Sequence, residues 1–233
     1  MSSPPTPAQA SALGSAPAKA GLILTVLILG ATVANINTSI SNVALPSIAS
    51  ALNATDTELT GITDAYQLGI AATVLYLGAV GDRYGRKGML LLGALLCVPF
   101  SLASAWSPNA VFLIVAQIAV GVAGGMLYPT TLSMITALWR GKKLTGAIAL
   151  WTGLGTGASV LGPIMGGYLL DNYWWGSVFL ITVPFALLVL VMGAIILPRS
   201  RAAEKAPVDH AGGSLSVVMI SSFVLGIVML PQG

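Results

Sequence analysis

The stretch Gly78 to Leu90 reads GAVGDRYGRKGML and carries four of the chain's charged residues between two long apolar runs. The chain has 233 residues, of which 56% are hydrophobic and only 7% are charged. Its mean hydropathy is +0.90. These values lie outside the range of soluble globular domains and predict an all-α membrane protein, in which this charged stretch is a loop between two membrane-spanning helices.

Seven apolar runs are long enough to cross a hydrocarbon core of about 30 Å, which takes roughly 20 helical residues. The predicted spans are Gly21–Ser47, Leu59–Gly81, Gly88–Ala105, Asn109–Leu138, Leu144–Leu170, Gly176–Leu197 and Ser214–Pro231. The predicted organisation is a disordered cytoplasmic tail (1–19), a six-span domain (20–198), a cytoplasmic loop (199–213) and a seventh span with the chain end (214–233). A secretory signal peptide is the competing interpretation of the first apolar run.

The basic residues determine the predicted orientation. Every Lys and Arg falls on the loops of one side, whereas the opposite loops carry only Asp56, Glu58 and Asp171 as charged residues. By the positive-inside rule the basic side is cytoplasmic, so the N-terminus lies on the cytoplasmic side of the cell membrane. A seven-helix receptor usually has its N-terminus outside, and basic residues dispersed over separate loops are not typical of nucleic-acid binding.

The charged loop resembles the cytoplasmic signature of the major facilitator superfamily, written G-x-L-a-D-r-x-G-r-k. The matching residues are Gly78, Gly81, Asp82, Arg83, Gly85, Arg86 and Lys87. Gly85 permits a tight turn between antiparallel helices, and Asp82 can accept hydrogen bonds from a helix N-terminus or pair with an arginine. The resemblance implies that this loop helps to govern the switch between inward-open and outward-open states.

Further motifs resemble one branch of that superfamily. GTGASVLGPIMGG resembles its antiporter signature, with Gly155, Gly162, Pro163, Gly166 and Gly167 at the matching places. The pairs Gly153 and Gly157, and Gly162 and Gly166, are spaced to clear one face for helix packing, and Pro163 is expected to bend the helix. NINTSISNVALP, ITDAY and WWGSVFLITVP resemble spans one, two and six of the 14-span drug:proton antiporters.

The subfamily resemblance implies a six-helix bundle of two inverted three-helix repeats, followed by a seventh helix, with substrate bound near the membrane midplane. It also implies efflux of hydrophobic or cationic compounds in exchange for protons, with no cofactor and no enzymatic activity. Two departures are important. Asn37 stands where the subfamily has an acidic residue, and Gln117 stands where it has an arginine. We hypothesise that the two amides face one another and keep the interior neutral.

Candidate residues of the substrate and proton path lie in spans one, two and four. Asp64 is the one ionisable residue left inside a span, with Tyr66 and Gln67 nearby, and it is either an interfacial carboxylate or a proton acceptor or counter-charge. Span one has a polar stripe at helical spacing that lines either a cavity or a helix contact, namely Asn35, Thr38, Ser39 and Asn42.

Three hypotheses stay open at this stage. The chain is a proton-coupled exporter, an uncoupled facilitator, or a truncated module that transports nothing without a second half. A 14-span relative would be about twice as long, so a missing C-terminal half is the expected partner. The sequence shows no metal cluster, phosphate-binding loop or hydrolase triad, and the lone histidine, His210, is expected to be solvated in a cytoplasmic loop.

Overall fold

The computed structural model describes residues 19–199, 212–219 and 222. Six long helices account for most of them: α1 (Ala20–Leu52), α2 (Asp56–Tyr84), α3 (Arg86–Ala105), α4 (Ala110–Leu138), α5 (Gly141–Asn172) and α6 (Trp175–Ile196). The predicted all-α fold class is confirmed, and these helices coincide with the first six predicted spans. Most of the predicted tail, of the loop before the seventh span and of that span lies outside the described residues.

Two of the helices change their winding. In α5, the α-helical parts Gly141–Gly157 and Leu161–Asn172 are joined by a 3-10 turn at Ala158–Val160, just before Pro163. Because proline lacks a backbone N–H, the ordinary α-helical pairing is interrupted there. In α6, the first residues, Trp175–Ile181, form a 3-10 helix before the α-helix Thr182–Ile196.

Polar caps at the acidic end of the bundle start two helices. Thr55 and Glu58 form a capping box at the beginning of α2, in which each side chain accepts a hydrogen bond from the other residue's backbone N–H. Asn109 Oδ1 accepts a hydrogen bond of 2.8 Å from the Phe112 N–H at the beginning of α4. These side chains satisfy N–H groups that a helix start leaves without partners, so the sequence marks both starts locally.

Five of the six helices are long and apolar enough to cross a membrane on their own composition. The exception among the described helices is α2, which includes five charged residues: Asp56, Glu58, Asp64, Asp82 and Arg83. This helix is nevertheless 29 residues long and has its most extensive contacts with α4. Its polar residues are therefore accommodated within a bundle of spanning helices.

The helix contacts have an internal symmetry. Exchanging α1 with α4, α2 with α5 and α3 with α6 converts each of the main helix contacts into another contact that is also present, such as α2 against α4 into α5 against α1. Consecutive spanning helices alternate in direction, so this exchange also reverses each helix. The contact pattern therefore agrees with two inverted three-helix repeats.

The apolar core is divided into two clusters along the membrane normal. One cluster lies toward the basic loops and includes Leu27, Leu90 and Trp151. The other lies toward the capped helix starts and includes Ile40, Leu113 and Phe179. Polar groups of α1 and α4 lie near the boundary between the two clusters.

Candidate functional site

The α2–α3 turn is attached to α4 through Asp82. Arg86 Nε lies 2.6 Å from Asp82 Oδ1 in an ion pair, and the Ser133 hydroxyl of α4 donates a hydrogen bond to the same oxygen. The arginine partner expected for Asp82 is therefore Arg86. The Ser133 hydroxyl that also binds Asp82 comes from within α4, in the part of that helix that faces this turn.

The rest of the turn is shaped by glycine and lysine. Gly85 has a φ of 139°, a conformation that residues with a side chain rarely adopt. Lys87 Nζ donates hydrogen bonds of 2.7 and 2.8 Å to the carbonyl oxygens of Ala194 and Leu197. A cation at the C-terminal end of a helix is favourable, so Lys87 holds the end of α6 against the beginning of α3.

The remaining residues of the motif also have defined places. A Cβ added to Gly81 would lie 3.2 Å from Met89 Cβ, and one added to Gly78 would lie 3.4 Å from Pro129 Cβ. The Arg83 guanidinium lies 5.6 Å from the centre of the Tyr84 ring. Small residues at 78 and 81 thus allow the end of α2 to approach α3 and α4.

One glycine face of α5 packs on α1. A Cβ added to Gly155, Gly162 or Gly166 would lie 3.2, 2.8 or 3.7 Å, respectively, from side-chain atoms of Ala31, Ser39 and Val43. Residues seven and then four positions apart lie on the same helix face. The close contact predicted for this helix is therefore made with α1.

The other glycines of the motif point elsewhere, which corrects the predicted pairing of Gly153 with Gly157. A Cβ added to Gly153, Gly157 or Gly167 would meet no atom of the described chain within 4 Å outside its own helix backbone and neighbours. Pro163 is exposed as well. The face that contacts α1 contains Gly155 in place of the Gly153 and Gly157 pair, because Gly155 shares a helix face with Gly162 and Gly166.

The polar stripe of α1 lies at the edge of the α1–α5 contact. Asn35, Thr38 and Ser39 are half-buried and Asn42 is exposed. Each of these four side chains donates a hydrogen bond to a backbone carbonyl four residues earlier in α1. A donor of each side chain is therefore engaged within the helix.

Asn37 and Gln117 are buried between α1 and α4, with exposed fractions of 3% and 1%. Asn37 Nδ2 donates to the Val33 carbonyl oxygen at 3.0 Å. Neither the amide nitrogen nor the amide oxygen of Gln117 has a hydrogen-bond partner among the described residues. Gly30 and Thr131 mark the sides on which α1 and α4 meet, and the two amides lie close to whole numbers of turns from them, so both are on the facing sides of these helices. They do not pair directly as hypothesised.

Asp64 lies on a half-buried face of α2, and Gln67 beside it is exposed. Both lie on the far side of the helix from Gly69, where a Cβ would come within 2.3 Å of the Ile118 carbonyl oxygen of α4. Tyr66 is different from its neighbours, because it is fully buried and its hydroxyl donates a hydrogen bond of 2.9 Å to the Ala34 carbonyl oxygen. Asp64 and Gln67 therefore lie close together on one side of α2, whereas Tyr66 lies on another side and connects α2 to α1.

Two polar residues close to these contacts are not singled out by the sequence analysis. Ser133 binds Asp82, and Ser41 is buried one helical turn from Asn37. The four-residue spacing from Asn37 to Ser41 is a signal that helical periodicity offers. No comparable signal marks Ser133, because a hydroxyl in a spanning helix commonly bonds to its own backbone.

Helices of membrane-spanning length in two inverted triplets, with a charged turn between α2 and α3, define the class of polytopic membrane proteins to which secondary transporters belong. Residues 27–230 match the family model for the Major Facilitator Superfamily. The chain belongs to the major facilitator superfamily, a family of membrane transporters, and the predictions of that family and of a multi-pass membrane protein are confirmed.

Curated relatives include proteins named for efflux and resistance. The chain is 37% identical over 213 residues to the "Multidrug efflux pump LfrA" of Mycolicibacterium smegmatis, covering 91% of this chain and 42% of the relative. It is 35% identical over 200 residues to the "Methyl viologen resistance protein SmvA" of Salmonella typhimurium, covering 85% and 40%. The chain therefore spans about two fifths of the length of these relatives.

Solved structures share the fold at low sequence identity. The peptide transporter POT in complex with sulfate aligns with a TM-score of 0.71 at 15% identity, over 97% of this chain and 50% of that one. The inward-open xylose transporter XylE from E. coli aligns with a TM-score of 0.67 at 15% identity, over 91% and 57%. At this identity the likeness shows the fold alone.

Proposed function

We propose that this chain forms one half of a proton-coupled exporter of hydrophobic or cationic compounds. The proposed exporter lies in the cell membrane with the N-terminus of this half in the cytoplasm. Its relatives are named for multidrug efflux and for resistance to methyl viologen, which is an organic dication. The basic residues on one side of the helices support the orientation.

The observation that carries the proposal is the position of Asp64. It lies eight residues into α2 and is the one acidic or basic side chain in the interior of the six described helices. Charged groups within a membrane are costly and mark ion or substrate paths. Because Asp64 faces away from the α2–α4 contact, its carboxylate is available to a proton or a cationic substrate.

A second half completes the proposed transporter. The chain covers 50% of the POT transporter chain and 57% of the XylE chain in the structural alignments. In carriers of this type the substrate site lies between two such bundles. The non-transporting module is therefore the expected behaviour of this chain by itself.

An uncoupled facilitator is the second candidate function, and the burial of two neutral amides favours it. Asn37 and Gln117 occupy the α1–α4 contact without any titratable partner from either helix. Proton coupling would then depend on Asp64 alone.

Flux measurements distinguish these possibilities. The purified chain is reconstituted into proteoliposomes, alone and together with the C-terminal half of LfrA, and movement of ethidium is followed with and without an imposed pH gradient. We expect accumulation driven by the pH gradient for the pair of halves, lost in Asp64→Asn and kept in the control Asp56→Asn at the exposed start of the same helix. Equilibration without accumulation would support the facilitator, and no movement with either preparation would contradict both transport proposals.

A further inference from the structure

Ser41 and Gln117 leave three polar atoms without partners in the interior of the bundle. Ser41 is 2% exposed and Gln117 is 1% exposed. The Ser41 hydroxyl and both polar atoms of the Gln117 side chain have no hydrogen-bond partner within the part of the chain that the structure describes. Buried polar side chains are almost always hydrogen-bonded to protein or to ordered water, so this group requires a ligand.

Contacts of Tyr66, from α2, with both α1 and α4 place Ser41 and Gln117 at the same depth. The Tyr66 hydroxyl bonds to the Ala34 carbonyl oxygen and lies 2.7 Å from where a Cβ of Gly124 would be. Ser41 comes seven residues after Ala34, and Gln117 comes seven residues before Gly124. Because α1 and α4 run antiparallel, both side chains lie about 10 Å from the Tyr66 hydroxyl along the helix axes, toward the same end of the bundle.

The two side chains also lie on the facing surfaces of these helices. A Cβ added to Gly30 of α1 would lie 2.9 Å from Thr131 Cγ2 of α4, which identifies the face that each helix presents to the other. Ser41 follows Gly30 by eleven residues and Gln117 precedes Thr131 by fourteen, close to whole numbers of helical turns. The unpartnered atoms therefore converge on the α1–α4 contact.

We propose that at least one ordered water molecule binds between α1 and α4 and bridges Ser41 Oγ to the side-chain amide of Gln117. A hydroxyl and a primary amide offer both donors and acceptors, as a buried water with two to four partners requires. Neither side chain is charged, which favours water over an ion. The bridge lies where the first helices of the two inverted repeats meet, and it joins them by a neutral link.

Substitution provides the first test through thermal unfolding of the purified chain in detergent. Gln117→Met and Ser41→Ala are each expected to lower the unfolding midpoint by at least about 2 °C, because each removes a partner of the water. The double variant should fall no further than Gln117→Met alone, since the bridge is already lost. Gln67→Met, on the exposed side of α2, is the matched control and should shift the midpoint little.

A dry site predicts the opposite sign. Removal of an amide that is buried without partners would raise the midpoint of Gln117→Met or leave it unchanged, and either result would overturn the proposal, as would effects that simply add. If Gln117→Met does not fold, a high-resolution structure of the unaltered chain decides the matter. Water density within hydrogen-bond distance of Ser41 Oγ and the Gln117 amide supports the bridge, and its absence in well-resolved density overturns it.

Discussion

At the scale of single residues, Gly85 is the position where the backbone itself restricts the choice of side chain. Its φ of 139° lies where residues with a Cβ are strained, and its N–H donates to the Gly81 carbonyl oxygen at 3.0 Å. We expect Gly85→Ala to lower the free energy of unfolding by about 1–3 kcal/mol. Thermal unfolding of the purified protein measures the effect.

Gly88 supplies a matched control three residues further along. It is helical, has no positive φ, and a Cβ there would meet no described atom within 4 Å beyond its helix and neighbours. Gly88→Ala should therefore be neutral or slightly stabilising, because alanine favours the helix. Equal destabilisation by the two substitutions would show that the turn conformation is not what restricts residue 85.

The sequence predicts residues whose role depends on the local backbone better than residues whose role depends on a distant partner. The motif identifies Gly85 as a turn residue and Asp82 as a residue with an arginine partner, and the structure has both features. The contact of Asp82 with Ser133 depends on how α2 crosses α4 over a separation of 51 residues. That crossing is set by tertiary packing, which local spacing does not encode.

At the scale of helices, the α2–α4 crossing depends on two glycines in direct contact. A Cβ on Gly121 would lie 2.2 Å from the Tyr66 carbonyl oxygen, and one on Gly69 would lie 2.9 Å from Gly121 Cα. We expect Gly121→Ala to separate the helices and to lower stability by about 1–3 kcal/mol, since backbone atoms cannot rotate away as a side chain can. The midpoint of thermal unfolding reports the change.

Gly153→Ala is the control for that prediction, because its added Cβ would meet no described neighbour within 4 Å. Its midpoint should equal or exceed that of the unaltered chain. If Gly121→Ala proved as stable as Gly153→Ala, the close approach of α2 and α4 would be wrong.

Helix existence was predictable, whereas helix faces were only partly so. Apolar runs located all six of the long helices α1 to α6, because length and hydrophobicity suffice for a spanning helix. On α5 the predicted glycine pair Gly153 and Gly157 faces away from α1, and Gly155 takes part in the contact instead. A glycine-rich helix offers several small-residue faces, and the shape of the neighbouring helix selects among them.

At the scale of the whole molecule, the inverted symmetry of the helix contacts explains why the alternation of charge between loops predicts the side on which each loop lies. Exchange of the two triplets relates α1 to α4, and these two helices run in opposite directions across the membrane. The basic residues Arg83 and Arg86 lie at the turn where α2 ends, and Arg140 and Lys142 lie where α5 begins. Both pairs of basic residues therefore lie on the same side of the bundle. The contacts between the two triplets, in contrast, could be identified only from the structure.

Labelling with a membrane-impermeant maleimide tests the proposed orientation at two positions related by this symmetry. Thr57 and Lys142 are each the second residue of their helix, α2 and α5, and both are exposed. The one native cysteine, Cys97, is 1% exposed and should contribute little background. We expect Thr57→Cys to be labelled in intact cells and Lys142→Cys only after permeabilisation, because basic loops stay in the cytoplasm. The reverse pattern would place the N-terminus outside, and labelling of both positions in intact cells would contradict a single orientation.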